Sequence, residues 1–180
     1  YFGNGDKLGL SIKYYYEPHL LGTAGALRNM TDFISKDTNF FVIYGDILTN
    51  QDLNQLKIKQ IQSNSIGTLL LHKRANSNSM VKVDKKFKIV EFEERPNRSI
   101  IYKDDTTWVN SGVAILNKKI LRYIDQNNPS DLPKDIYRKI YRNETLSAVP
   151  LTGYRCAIDS QNRYLKALKD IEKGELIHLS

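Results

Sequence analysis

The sequence predicts an α/β domain built on a Rossmann-like mixed sheet, mainly parallel and flanked by helices. Apolar runs of strand length alternate with helical patterns up to residue 72, and a hairpin pattern then interrupts this alternation. Alternation of strands and helices implies right-handed crossovers, which make the connected strands parallel. The sequence contains no internal repeat and no low-complexity linker, so we interpret residues 1–180 as a single domain.

The first half of the chain is predicted to contain strand 10–16, helix 24–33, strand 40–44, helix 52–64 and strand 66–72. Strand 10–16 is rich in aromatic and β-branched residues and ends before Pro18. Thr23 is expected to cap the first helix. Residues 40–44 are continuously apolar, which is typical of a strand buried on both faces.

The second half is predicted to begin with a β-hairpin. Its strands, 80–83 and 87–93, are joined by a polar turn at residues 84–86. Gly112 interrupts a later, longer strand, where a glycine often marks a bulge. The remaining predicted elements are strand 107–117, helices 118–126 and 131–141, strands 146–151 and 154–158, and helix 160–172.

The composition is typical of a folded cytoplasmic domain. The chain is 41% hydrophobic and 26% charged, and no apolar run approaches the length of a membrane span. Cys156 is its only cysteine, which excludes an intrachain disulfide and fits a reducing compartment. The net charge of +7 comes largely from scattered lysines, a pattern that predicts a solvated surface, no nucleic-acid partner and a preference for anionic small substrates. The three histidines lack ligand spacing, so a zinc site has no support.

A loop of small residues, LGTAGAL at residues 21–27, leads into the first predicted helix. Gly22 and Gly25 would let backbone groups approach a planar base, and a helix N-terminus favours an anion. The same residues would equally suit a tight turn packed against the sheet. Both interpretations stay open from this loop alone.

A shorter motif, Gly45-Asp46, follows the apolar strand at residues 40–44. Ligands in open α/β sheets collect at the carboxyl ends of strands, and an aspartate there is well placed to hold a hard cation. Taken alone, however, the pair is better explained as an ordinary Gly-Asp turn or as the cap of a following element.

Two further motifs place polar side chains on strands. Glu94 and Arg95 end the hairpin, where a carboxylate can accept sugar hydroxyls and a guanidinium can bind a phosphate. A surface salt bridge before Pro96 is the alternative. Asn110 lies in an apolar strand, where its amide could bind a hydroxyl group.

Taken in order, these motifs resemble the sugar-phosphate nucleotidylyltransferases, a family that includes the mannose-1-phosphate guanylyltransferases. The resemblance extends from Tyr1 to about Lys169 and includes YLKA at residues 164–167. It implies the nucleotide-diphospho-sugar transferase fold, and a reaction that joins a nucleoside triphosphate to a sugar 1-phosphate and releases pyrophosphate. It also implies a Mg²⁺ cofactor. The LGTAGA loop favours GTP, surface polysaccharide synthesis is the leading role, and a homo-oligomer stays open.

The resemblance also implies a role for each motif. The expected base-binding residues are Glu17, Leu21, Gly22 and Thr23, and the expected sugar-binding residues are Glu94, Asn110 and Gly112. Asp46 would hold Mg²⁺ during catalysis. Arg95 would act in catalysis by taking the sugar phosphate, where the family usually has lysine.

Three departures from the family pattern accompany the resemblance. The chain starts inside the family's domain, so the first βαβ unit and its triphosphate loop are expected to be missing and the fragment to be inactive alone. Ala157 stands where the family has a second metal-binding aspartate. Either the metal site is weakened, or Asp159, which would share the same strand face, serves instead. Ser79 stands where the family's hairpin has a glycine.

These departures support a second hypothesis, a non-catalytic relative that binds a nucleotide sugar and regulates a partner. A glycosyltransferase of similar fold is less favoured, because Asp46 is followed by Ile47-Leu48 and does not begin an Asp-x-Asp motif. The sequence decides neither the base nor the sugar.

Overall fold

The computed structural model describes residues 1–96, 100–103 and 106–176. Its strands are β1 (Asn39–Ile43), β2 (Ile47–Thr49), β3 (Gly67–Lys73), β4 (Ser79–Val83), β5 (Ile89–Glu94), β6 (Trp108–Asn117), β7 (Leu146–Pro150) and β8 (Arg155–Ala157). Its α-helices are α1 (Gly22–Asn29), α2 (Thr31–Ile34), α3 (Asn54–Ser63), α4 (Arg138–Ile140) and α5 (Gln161–Glu172). Tighter 3₁₀ turns cover Asp6–Leu8 and Lys118–Tyr123, and a wider π-helical segment covers Leu132–Tyr137.

The main sheet has the strand order β5-β4-β6-β3-β7, and β1 pairs with β6 on the side opposite β3. This mixed sheet with flanking helices confirms the predicted fold class. The expectation of mainly parallel pairing is corrected, because β3–β7 is the parallel ladder and β6 runs antiparallel to β1, β3 and β4. The crossover through α3 does make β1 and β3 run in the same direction, but β6 is inserted between them.

Two strand predictions are wrong in detail. Residues 10–16 form no strand, and instead Lys13 and Tyr15 bind the Asp32 carboxylate at 2.5 and 2.8 Å. A high β-propensity describes fitness for a pleated surface, and this segment has no neighbouring strand to pair with. β1 forms as predicted but is not buried on both faces, because Phe41 and Ile43 are 40% and 47% exposed.

The sheet separates two apolar layers. Leu69 and Leu71 face the larger layer, while the intervening Leu70 faces a smaller one against Leu56 of α3. This alternation follows from the two-residue period of a strand.

The predicted hairpin is confirmed as β4–β5, whereas the helix predicted over 131–141 is the π-helical segment continued by α4. In the described part of the chain, no helix has the length and apolar character that a membrane span needs.

Candidate active site

A cavity of about 950 Å³ opens where β1, β3 and β5 reach their carboxyl ends. Open α/β sheets bind ligands at such ends, because the loops that leave the strands converge there. Of the predicted site residues, this cavity gathers Asp46, Glu94, Arg95, Asn110, Gly112 and Asp159. Residues separated by more than 100 positions in the sequence are thus brought to one concave surface.

The hairpin supplies one wall of the cavity. The β4–β5 register places Ser79 directly opposite Glu94, and burial raises the pKa of the Glu94 carboxyl, while its hydrogen bond with Ser79 acts in the opposite direction. Arg95 lies 3.4 Å from Glu94 (Nε to Oε1), with 66% of its side chain exposed against 17% for Glu94. Arg95 also adopts a φ of 45°, a left-handed conformation that is uncommon for non-glycine residues. This pair presents one largely buried acceptor and one accessible cation.

A bulge in β6 supplies the opposite wall. Between its pairings with Leu69 and Leu71, β6 uses three residues where β3 uses one. Gly112 adopts a φ of 80°, and a Cβ atom there would lie 3.0 Å from the Tyr44 ring. Its N–H group donates to the Asn110 side chain at 3.3 Å. The glycine therefore allows the bulge, which in turn orients the Asn110 amide at the cavity edge.

Asp46 lies at the end of the cavity formed by the small β2–β8 sheet. Ile47 pairs with Ala157, and the Ile158 N–H group donates to the Asp46 carbonyl at 2.8 Å, so position 157 adjoins Asp46. Asp159 is nearby, but both of its carboxylate oxygens bind Arg163 Nη1, at 2.9 and 2.8 Å. No group of three or more His, Cys, Asp and Glu side chains with metal-binding geometry occurs among the described residues.

These residues fit Mg²⁺ through Asp46. Mg²⁺ commonly binds one or two carboxylates and completes its shell with water and substrate phosphates. The Asp46 carboxylate, which has no ion-pair partner among the described residues, meets that requirement in a cavity large enough for phosphates as well. Asp159 would first have to exchange its ion pair with Arg163.

The glycine-rich loop packs within the protein, beside the cavity. The Ala24 and Gly25 N–H groups donate to the Ser130 carbonyl at 2.9 and 3.2 Å, and Ser130 N–H donates to Leu21. A Cβ at Gly22, whose φ is 74°, would lie only 2.4 Å from the Ser130 oxygen. The tight-turn interpretation therefore accounts for the contacts of Gly22.

Thr23 and Glu17 complete the contacts of this loop. Thr23 does not cap the first helix, as predicted, because it lies inside α1. Its hydroxyl instead binds Asp131 at 3.0 Å and accepts the Leu132 N–H group at 2.7 Å. Glu17 accepts the Leu21 N–H group at 3.2 Å. Beside the loop lies Tyr44, a cavity residue whose pKa is raised to about 12 by burial, while Thr23 acts in the opposite direction.

Comparison with known proteins identifies the family. Residues 1–172 match the Nucleotidyl transferase family. The chain belongs to this family. Its fold is also that of a putative glucose-1-phosphate thymidylyltransferase from Bacillus anthracis, with a TM-score of 0.77 and 20% identity over 92% of this chain and 67% of that one. The predicted family and nucleotide-diphospho-sugar transferase fold are thereby confirmed.

Curated relatives of this nucleotidyl transferase domain differ in their substrates. A UTP–glucose-1-phosphate uridylyltransferase from Synechocystis is 27% identical, covering 78% of this chain and 39% of the relative. A mannose-1-phosphate guanyltransferase from Yarrowia lipolytica is also 27% identical, covering 97% of this chain and 46% of the relative. The chain thus spans less than half the length of these two relatives.

His72, Arg74 and Arg155 are among the cavity residues of the nucleotidyl transferase domain that were not predicted from the sequence. His72 and Arg74 stand at the end of β3, and Arg155 begins β8. His72 Nδ1 lies 2.9 Å from the Ser111 hydroxyl, and Arg155 donates Nε and Nη2 to the Ser111 carbonyl at 3.3 and 3.2 Å. A histidine and two arginines at strand ends were the available signal, but their convergence depends on how the strands pair.

His72 makes the stability of the nucleotidyl transferase domain depend on pH. Burial, followed by the charges of Arg155 and Arg74, lowers the pKa of His72 from 6.5 to about 4. The unfolded chain therefore takes up the proton first, and the free energy of unfolding should fall as the pH decreases from 6.5 to 4. Chemical denaturation of His72→Gln across this range should show a shallower fall than wild type. Exposed His19→Gln should follow wild type, and an unchanged slope in His72→Gln would contradict the assignment.

Proposed function

We propose that this domain transfers a nucleotidyl group from a nucleoside triphosphate to a sugar 1-phosphate, releases pyrophosphate and forms a nucleoside diphosphate sugar. The observation that carries this proposal is the cavity, which lies on the fold of this family. Glu94 and Asn110 line one part of it, and Asp46 lies at the end where Arg74 and Arg155 are also found. Carboxylate and amide groups suit sugar hydroxyls, and cations suit phosphates.

The reaction requires positioning and charge neutralisation. A phosphate oxygen of the sugar 1-phosphate attacks the α-phosphorus in line, and the bond to the leaving pyrophosphate breaks. Arg95 would bind the attacking phosphate while Glu94, Asn110 and the backbone at Gly112 orient the sugar. Asp46 would hold Mg²⁺, which when bound stabilises the negative charge on the phosphates.

GTP is the favoured nucleotide, and the proposal places its base near Glu17, Leu21, Gly22 and Thr23. The guanyltransferase relative from Yarrowia lipolytica supports this choice, while the uridylyltransferase relative makes UTP the main competitor. Cytoplasmic nucleotide-sugar synthesis for polysaccharide is the proposed setting, with no nucleic-acid or membrane partner.

The test is pyrophosphate release by the full-length protein with Mg²⁺, measured over a panel of nucleoside triphosphates and sugar 1-phosphates. Turnover with at least one pair is expected, and GTP with mannose 1-phosphate is the first pair to try. Binding of both substrates without pyrophosphate release would instead support a regulatory, non-catalytic relative. Ala157 favours that alternative, because it stands where the resemblance implies a second metal-binding aspartate.

Glu94→Gln tests the sugar end of the cavity. The amide keeps the shape but loses the charge that strengthens hydrogen bonds to sugar hydroxyls, so the KM for the sugar 1-phosphate should rise about tenfold. The KM for the triphosphate should stay within about twofold of wild type. Glu91→Gln is the matched control, because Glu91 lies on β5 with Glu94 but forms an ion pair with Lys82 of the neighbouring β4. Equal effects of the two variants on sugar binding would contradict the assignment.

A further inference from the structure

The β6 bulge holds Arg155 in a fixed position at the cation-rich end of the cavity. Two of its nitrogens, Nε and Nη2, donate to the Ser111 carbonyl, which belongs to the three-residue bulge opposite Leu70. Within the described part of the chain, its third nitrogen, Nη1, has no hydrogen-bond partner. A guanidinium anchored along one edge keeps donors available for a planar or tetrahedral oxyanion.

Positive charge around Arg155 is only partly compensated by Asp46. Arg74 and Arg163 lie close enough to add to the effect of burial, which lowers the pKa of Arg155, while Asp46 acts in the opposite direction. Arg163 is neutralised by Asp159. Over residues 1–96, 100–103 and 106–176, neither Arg155 nor Arg74 has a carboxylate within 4.0 Å. Two guanidinium groups in one cavity without paired carboxylates are typical of a site that an anion completes.

Ala157 makes this arrangement distinctive. It lines the cavity two residues after Arg155 and adjoins Asp46, at the position where the resemblance implies a second carboxylate. An aspartate there would compete for the guanidinium of Arg155, whereas alanine adds neither charge nor bulk. This end of the cavity therefore combines an anchored cation with a small apolar side chain, which leaves room for a phosphate group.

We propose that Arg155 and Arg74 form a phosphate-binding subsite beside Asp46 that binds a substrate phosphate without requiring a metal ion. The ligand chemistry is a phosphate group, and the proposed function, on which this inference rests, supplies it as a sugar 1-phosphate or a nucleoside triphosphate. The planar guanidinium of Arg155 is anchored in one orientation and offers hydrogen-bond donors to the phosphate, and Arg74 adds a second positive charge.

Isothermal titration calorimetry of the full-length protein in EDTA tests the subsite. Arg155→Gln should raise the Kd for inorganic phosphate and for at least one of mannose 1-phosphate and GTP by about tenfold, or ~1.4 kcal/mol. Arg74→Gln should act in the same direction. A loss confined to mannose 1-phosphate assigns the subsite to the attacking phosphate, and a loss confined to GTP assigns it to the donor; either supports the proposal.

Control variants separate binding from folding and from catalysis. Arg122→Gln makes the same charge change at an exposed position away from the cavity and should alter each Kd less than twofold. Arg155→Lys keeps the charge but loses the fork, so its Kd should fall between those of wild type and Arg155→Gln. Wild-type Kd values in a folded Arg155→Gln, verified by circular dichroism, would overturn the subsite even if pyrophosphate is released. Arg155-dependent binding without pyrophosphate release would leave the subsite standing and reject the proposed function.

Discussion

Asp46→Asn should lower kcat for pyrophosphate release by about 10²- to 10³-fold, the range seen when one preorganised electrostatic contact to a transition state is removed. Asparagine keeps the size of the side chain and leaves the Ile158–Asp46 backbone hydrogen bond in place, so the fold should be retained. It loses the negative charge that would hold Mg²⁺ near the reacting phosphates. Steady-state kinetics at several Mg²⁺ concentrations are the measurement.

The Mg²⁺ dependence distinguishes a metal ligand from a structural residue. In Asp46→Asn, the Mg²⁺ concentration for half-maximal activity should rise together with the fall in kcat. Asp37→Asn removes an exposed carboxylate elsewhere and should behave as wild type. If Asp46→Asn retained both wild-type kcat and wild-type Mg²⁺ dependence, Asp46 could not be the metal ligand.

Gly22→Ala should destabilise the domain by about 3 kcal/mol or more, which corresponds to a fall in Tm of roughly 6–12 °C for a domain of this size. Two causes act together. The φ of 74° costs a non-glycine residue about 1–2 kcal/mol. The new Cβ would also lie 2.4 Å from the Ser130 carbonyl oxygen, a backbone atom that can move only if the turn moves with it. Differential scanning calorimetry measures the effect.

Gly9→Ala is a matched control for the backbone strain alone. Gly9 has a φ of 66°, but a Cβ there would meet no atom within 4 Å. Its expected loss is therefore about 1 kcal/mol, from conformation without a steric clash. If both variants lost the same stability, the packing of Gly22 against Ser130 would be unimportant.

Motif order was enough to predict most of the candidate site. Asp46, Glu94 and Asn110 follow or lie on strands whose patterns are clear in the sequence, and the structure brings all three to one cavity. Their roles in binding stay predictions. The prediction of the shared site worked because strand ends converge in this class of sheet, whatever the exact strand order.

Other features depended on contacts between distant segments. The insertion of β6 between β1 and β3 follows from long-range pairing, which a local apolar pattern does not encode. The contact between Gly22 and Ser130, more than 100 residues apart, equally has no signature near either residue. The four-residue spacing between Asp159 and Arg163 is compatible with an ion pair. The pair forms only because helix α5 begins at Gln161, which brings the two side chains together.

The residue pattern alone therefore specified the family, the hairpin and the acidic and amide groups of the candidate site, because periodicity, turn chemistry and motif order are local properties of the chain. The three-dimensional packing decided which cations join them. Arg155 and Arg74 line the same cavity because the bulge at Gly112 presents the Ser111 carbonyl to β8 while β3 ends nearby. Burial and charge at that point are set by several strands at once, so the chemistry of this end of the cavity is a property of the folded protein.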